Sequence, residues 1–182
     1  MKRIAAVVGA AALVFSASSA SAQKGTLFVV ATGGATIPIG DFKDSGAKTG
    51  WMANGGLGYD ITNNLFLAAV YRYGSNSNDA GGDALKLSGF EGSVGYSFGA
   101  EGAKMHPYLR AGIGQLKGKV GDISGDGQTT YSGAFGLYMP KSAKWGWFVE
   151  GQYNTISAPE GGTSSNFIGV HLGFTWALMT KK

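Results

Sequence analysis

The chain has 182 residues, one domain by length, and carries 15 Lys and Arg against 11 Asp and Glu. It has no cysteine, so disulfides cannot hold it together. Its 32 glycines against 4 prolines argue against a helical bundle, since each glycine inside a helix costs about 1 kcal/mol.

Residues 1–22 read as a secretory signal peptide. Lys2 and Arg3 give a positive start, Ile4 to Phe15 form a short apolar run, and Ala20-Ser21-Ala22 has the A-x-A pattern of a cleavage site. An anchor helix would need about 20 apolar residues, more than this run offers. Cleavage is expected between Ala22 and Gln23, leaving 23–182 as the mature domain. Losing Lys2 and Arg3 lowers the net charge from +4 to +2. That is too weak to call for nucleic acid or an anionic surface as a partner. The longest later apolar run is "LFLAAVY", Leu65 to Tyr71, too short for a membrane helix.

Beyond residue 23, alternating runs of about ten residues are separated by turn-forming clusters. The spacing predicts strands at 25–36, 49–60, 64–74, 85–99, 104–117, 128–139, 145–156 and 166–178. The connectors "ITNN", "GAEGAK" and "MPKSAK" are short. "TIPIGDFKDSGAKT", "SNSNDAGGDA", "KVGDISGDG" and "SAPEGGTSS" are longer and polar, and long and short alternate along the chain. The even strands share "GLGY", "GSVGY", "GAFGLY" and "GVHLGF", whose last glycines, Gly58, Gly95, Gly136 and Gly173, stand 37, 41 and 37 residues apart. A propeller blade of that period would need four strands, and each period here holds two. The repeat is therefore a hairpin, and stacked hairpins lose their exposed edges by closing into a barrel.

The strand faces choose which barrel. In the last strand Ile168, Val170, Leu172, Phe174, Trp176 and Leu178 oppose Gly169, His171, Gly173, Thr175 and Ala177. In "WGWFVEGQY" Trp145, Trp147, Val149 and Tyr153 oppose Phe148, Glu150 and Gln152. A soluble lipocalin-like barrel would turn the large apolar face inward. A membrane barrel turns it outward, with aromatic girdles at both interfaces and a polar interior. The crowding of glycine on the other face suits the concave inside of a narrow barrel. The reading is all-β: an eight-stranded antiparallel up-and-down transmembrane β-barrel. Its lipid-facing girdle would be Trp51, Tyr59, Tyr96, Phe98, Trp145, Trp147, Tyr153, Phe174 and Trp176. The first strand, with Leu27, Val29 and Ala31 against Phe28 and Val30, shows no clear face.

"GGATIPIGDF", "GYDITNNLFLAAVYRYG" and "HPYLRAGIG" resemble the outer-membrane β-barrel domain family, relatives of the OmpA-, OmpX- and OmpW-like small eight-stranded barrels. The resemblance covers the whole mature chain at the level of hairpin pattern. It implies a Gram-negative-type outer membrane, short periplasmic turns, longer extracellular loops, and outer-membrane lipids and the barrel-assembly machinery as partners. Such barrels often end in an aromatic residue recognised during assembly, whereas this chain ends "FTWALMTKK", with Phe174 and Trp176 the nearest aromatics.

Arg72, Glu91, Arg110 and Glu150, with Asp60 and His171, fall on the inward face. Arg72, Arg110 and Glu150 follow the repeat glycines by 14, 15 and 14 residues, which sets them at similar heights on three successive up-going strands. An interior Arg–carboxylate cluster is expected, because charge in a narrow lumen persists only when paired. It would serve as a structural plug or as the gate of a narrow porin-like channel, and eight strands leave a lumen that side chains can fill. His106 and His171 are the only histidines and neither sits in a Ser–His–acid pattern, so no catalytic residue and no cofactor are expected. "DISGDG" opens like a calcium loop, but Gly133 stands where the closing glutamate belongs, so no metal is expected either. The long loops could carry an extracellular ligand. A monomer that structures the outer membrane or acts at its surface is the resulting expectation.

Overall fold

The computed structural model describes residues 24–78, 82–99, 102–142, 144–158 and 163–179. The expected cleavage site at Ala22 and Gln23 lies outside them. Eight long strands form the molecule: β1 (Leu27–Ile39), β2 (Ala47–Asp60), β3 (Leu65–Asn78), β4 (Leu85–Ser97), β5 (His106–Val120), β7 (Gln128–Pro140), β8 (Trp145–Ile156) and β9 (Ser165–Met179). A short helix, α1 (Asp41–Asp44), follows β1, and a two-residue strand, β6 (Ile123–Ser124), folds back on the end of β5. Each long strand pairs antiparallel with its neighbours. β1 also pairs with β9 over thirteen positions, from Leu27 opposite Met179 to Ile39 opposite Asn166. That ladder closes the sheet into a barrel, so no long strand is left with an open edge. With 12 to 15 residues each, the strands exceed the 9–11 or so that cross a bilayer when tilted.

The tight turns follow from their hydroxyls. Thr62 Oγ1 accepts from the backbone N–H groups of Asn64 and Leu65, and Ser142 Oγ accepts from those of Lys144 and Trp145. These turns, with residues 98–99 and 102–105 between β4 and β5, mark one end of the barrel, the turn end. The opposite, loop end is partly covered by α1. Gly40 and Gly46, both at positive φ (56° and 88°), bend the chain in and out of this helix. The bends drop Phe42 into the barrel mouth, where it is buried against Met52, Leu87 and Phe167.

All eight predicted strands are present, and several run further than expected. β1 continues through Pro38 to Ile39, and β3 through "SNSN" to Asn78. Asn76, in that polar extension, is buried and donates to Thr36 Oγ1 at 3.0 Å and to the Lys48 carbonyl at 2.9 Å. A polar residue that signals a turn in isolation serves here as an inward-facing lumen group.

The inward face is less uniformly small than alternation suggests. Phe28, Phe66, Tyr108 and Phe148 all point inward, and their cross-strand partners are Gly58, Gly95, Gly136 and Gly173. A Cβ on any of these glycines would collide with the partner's ring. Each repeat glycine is thus the seat of one aromatic ring, repeated in four hairpins. This also resolves β1, whose two faces are both apolar: Phe28 and Val30 join the lumen rings while Leu27, Val29 and Ala31 face outward.

The seats predict a contrast between two identical substitutions. Gly95→Ala forces Phe66 off its seat and should cost about 1–3 kcal/mol, as overpacking does. Gly133→Ala faces outward with no atom within 4 Å of the new Cβ and should be neutral, or stabilising by up to about 1 kcal/mol. Urea unfolding of the refolded barrel measures both.

Candidate functional site

Period-two alternation turns Arg72 of β3, Glu91 of β4, Arg110 of β5, and Glu150, Gln152 and Asn154 of β8 into the lumen. Small residues make room for them. A Cβ at Gly112 would lie 2.9 Å from Glu91 Cδ, and Gly89, Gly95 and Gly136 stand opposite Arg72, Arg110 and Glu150.

The structure brings the four charged residues into one chain of ion pairs. Arg72 Nη1 donates to Glu91 Oε2 at 2.7 Å. Arg110 Nη1 donates to Glu91 Oε1 at 2.6 Å, and its Nη2 to Glu150 Oε1 at 2.7 Å. Arg110 Nε also reaches Glu150 Oε2 at 3.1 Å, so that pair is bidentate and its planar geometry is fixed. Two cations and two anions alternate, and the group is neutral. The ends are satisfied by residues that sequence reasoning did not single out. Arg72 Nη2 donates to Asn154 Oδ1 at 3.0 Å and Gln152 Oε1 at 3.3 Å, and Tyr108 OH donates to Glu150 Oε2 at 2.9 Å. Parity alone marks Gln152 and Asn154 as inward. Their meeting with Arg72, some eighty residues away, depends on closure.

Asp60 and His171 are also buried and inward, but take no part in these hydrogen bonds. His171 lies opposite Glu150 on β9, and Asp60 lies at the turn end of β2. His106 sits at the turn end of β5 with its ring 6.3 Å from that of Tyr138. The "DISGDG" segment forms the tip that carries β6. Among the described residues no three His, Asp or Glu side chains converge as a metal site.

The lumen is layered. Toward the loop end Phe42, Met52, Leu87 and Phe167 form an apolar stopper, and Met52 Sδ lies 3.1 Å from Arg72 Nη2. The charge chain comes next. Toward the turn end follow the seated rings, with Phe66 and Tyr108 at 6.0 Å and Tyr108 and Phe148 at 6.1 Å between centroids, both edge-on. Beyond the charge chain a cavity of about 690 Å³ opens among these rings toward the turns.

The outer surface carries the girdle. Tyr59, Tyr96, Trp145, Trp147, Phe174 and Trp176 face outward near the turn end, where Trp145 is opposite Trp176 and Trp147 opposite Phe174. Phe98 stands just past β4 with its ring 4.9 Å from that of Tyr96. Trp51 and Tyr153 face outward toward the loop end. Tyr71, Tyr73, Phe90 and Tyr131 join them there, and strand parity places Tyr71, Tyr73 and Phe90 on the outward face. Trp51 and Tyr73 meet in a tilted pair with centroids 5.7 Å apart, and Tyr71 and Phe90 meet edge-on at 5.0 Å. Between the two belts Leu57, Ile113, Val149, Val170 and Leu172 are exposed.

An apolar outer band between aromatic belts, around a charged lumen, is the inverse of a soluble barrel. The sequence pattern of the outer membrane protein beta-barrel domain matches residues 9–176. The chain belongs to that family. Its fold is similar to the crystal structure of Neisserial surface protein A, with a TM-score of 0.72 at 18% identity over 82% of this chain and 96% of that one. It is similar also to the N-terminal barrel domain of Pseudomonas aeruginosa OprF, with a TM-score of 0.52 at 18% identity over 85% and 99% of the two chains. P. aeruginosa OprG gives a TM-score of 0.54 at 10% identity over 86% and 97%. No curated protein matches by sequence.

Within this outer-membrane barrel Glu91 is the hinge of the charge chain, because it alone holds both guanidinium groups. Glu91→Ala would leave Arg72 without its only ion-pair partner among the described residues. The loss should cost about 3–5 kcal/mol, the penalty of breaking a buried pair, read as a lower urea midpoint.

Proposed function

We propose that the mature chain, 23–182, is a non-enzymatic, monomeric outer-membrane barrel with a sealed lumen, acting as a structural or surface-facing element of the cell envelope. Export through the N-terminal signal and insertion by the barrel-assembly machinery belong to this reading. So does an orientation with the short turns in the periplasm and the longer loops outside. One observation carries the sealed lumen: the apolar stopper around Phe42 rests directly on the neutral, hydrogen-bonded Arg72–Glu91–Arg110–Glu150 chain. Ions passing the first layer would lose their water against apolar side chains. At the second they would meet charges already committed to each other. The loop end supports a surface-facing role through the β5–β6 tip, which holds Ile123 out in solvent.

The open cavity at the turn end favours a second reading, a narrow channel for small solutes. It supplies half a path; the other half would require displacing both layers.

Planar-bilayer recordings test the seal. The unaltered protein should show no sustained conductance. Phe42→Ala and Glu150→Ala should each leave it closed, because the other layer remains, and the double variant should leak. Steady openings of the unaltered protein would replace the sealed reading with the channel.

A further inference from the structure

Sealing the barrel leaves the turn-side cavity as a blind pocket, and its wall has an unusual composition. At about 690 Å³ it lies within the range of small-molecule sites, roughly 300–1,000 Å³. Its floor is the Arg110–Glu150 pair, and its sides are the rings of Phe28, Phe66, Tyr108, Tyr138 and Phe148. Asp60 also lines it, opposite Phe66 in the β2–β3 ladder, and is 8% exposed. Glu91 and Glu150 are each fully engaged by arginine. The Asp60 side chain, among the described residues, takes part in no hydrogen bond or ion pair. Its carboxylate, set in an apolar wall and open only to the cavity, is poorly solvated, and a cation delivered to it restores part of the lost interaction. Aromatic faces add attraction for a cation that is large, weakly hydrated and partly apolar.

We propose that this pocket binds an amphipathic organic cation, an alkyl- or arylammonium, with its charge at Asp60 and its apolar body among the lumen rings. Lys104, Lys141 and Lys144 stand at the mouth, exposed to water. Their ammonium groups face bulk water and its counter-ions at the open end, whereas Asp60 is set in the apolar wall. Lys141 moreover places its Nζ over the outward Trp147 ring, 5.7 Å from the centroid. The aromatic wall selects an organic cation over a hydrated metal ion. The seal and the pocket are separate properties: conductance reads the first and binding reads the second.

The test is equilibrium dialysis on the full barrel refolded into phosphatidylcholine vesicles, with protein-free vesicles as the blank. The probes are benzyltrimethylammonium, benzyl alcohol and benzenesulfonate. The cation should bind saturably and at least about tenfold more tightly than the neutral and anionic probes. Asp60→Asn should weaken it by about tenfold, and Ala68→Phe, which puts a ring into the pocket from β3, should abolish it. Should Asp60→Asn fail to fold, the charge series on the unaltered protein decides alone. The proposal is overturned if benzenesulfonate or benzyl alcohol binds as tightly as the cation, if no probe saturates, or if a folded Asp60→Asn keeps full affinity.

Discussion

In a hydrocarbon medium no water is present to satisfy a free backbone N–H or C=O, so a spanning sheet must pair every strand on both sides. The β1–β9 ladder meets that requirement. It joins the first long strand to the last across thirteen register positions, and every other feature depends on it. Once the sheet is closed, alternation has only two destinations, lumen or lipid. Arg72, Glu91, Arg110 and Glu150 cannot face lipid without large cost, and Leu57, Val170 and Leu172 gain most by doing so. The inward set then shares a space narrow enough that side chains from β3, β4, β5 and β8 touch.

That narrowness explains why the lumen is layered. Arginine and glutamate in alternating sequence neutralise one another, while Gln152, Asn154 and Tyr108 supply the remaining hydrogen bonds. A buried pair of this kind often gives little net stability over apolar packing, yet removing one partner is expensive. The network therefore acts mainly as a specification: only one register brings all four charges together. The rings on Gly58, Gly95, Gly136 and Gly173 act in the same sense, since a slip of one residue would put a Cβ, or the lipid face, where each ring must sit.

Much of this was legible in the sequence because two periods overlap there. The period of two in β8 and β9 exposes the faces, and the glycine period near forty exposes the hairpins. Charged residues at fixed offsets from those glycines then point to a shared height. What was not legible depends on contacts across the barrel. Phe148 could be placed inward by parity, but its seat on Gly173 is a matter of register. Asn154 reads as an ordinary polar strand residue until closure brings Arg72 beside it. Phe42 lies in a connector rich in Gly, Asp and Lys, and nothing local announces that two positive-φ glycines turn it back into the mouth. The "SNSN" end of β3 misleads for the opposite reason: its turn-prone residues are held in the ladder by partners on β1 and β2.

The central claim is the inversion of inside and outside, and the tryptophans report on it directly. The chain has four, and Trp51, Trp145, Trp147 and Trp176 all stand on the outer surface near the barrel ends. Fluorescence of the barrel in vesicles of brominated phospholipids measures whether those rings meet lipid. Strong quenching by bromines close to the headgroups, weaker quenching by bromines near the bilayer centre, and little quenching by aqueous acrylamide is the predicted result. Efficient quenching by acrylamide with no response to bromine at any depth would contradict it and place the aromatic face away from the membrane.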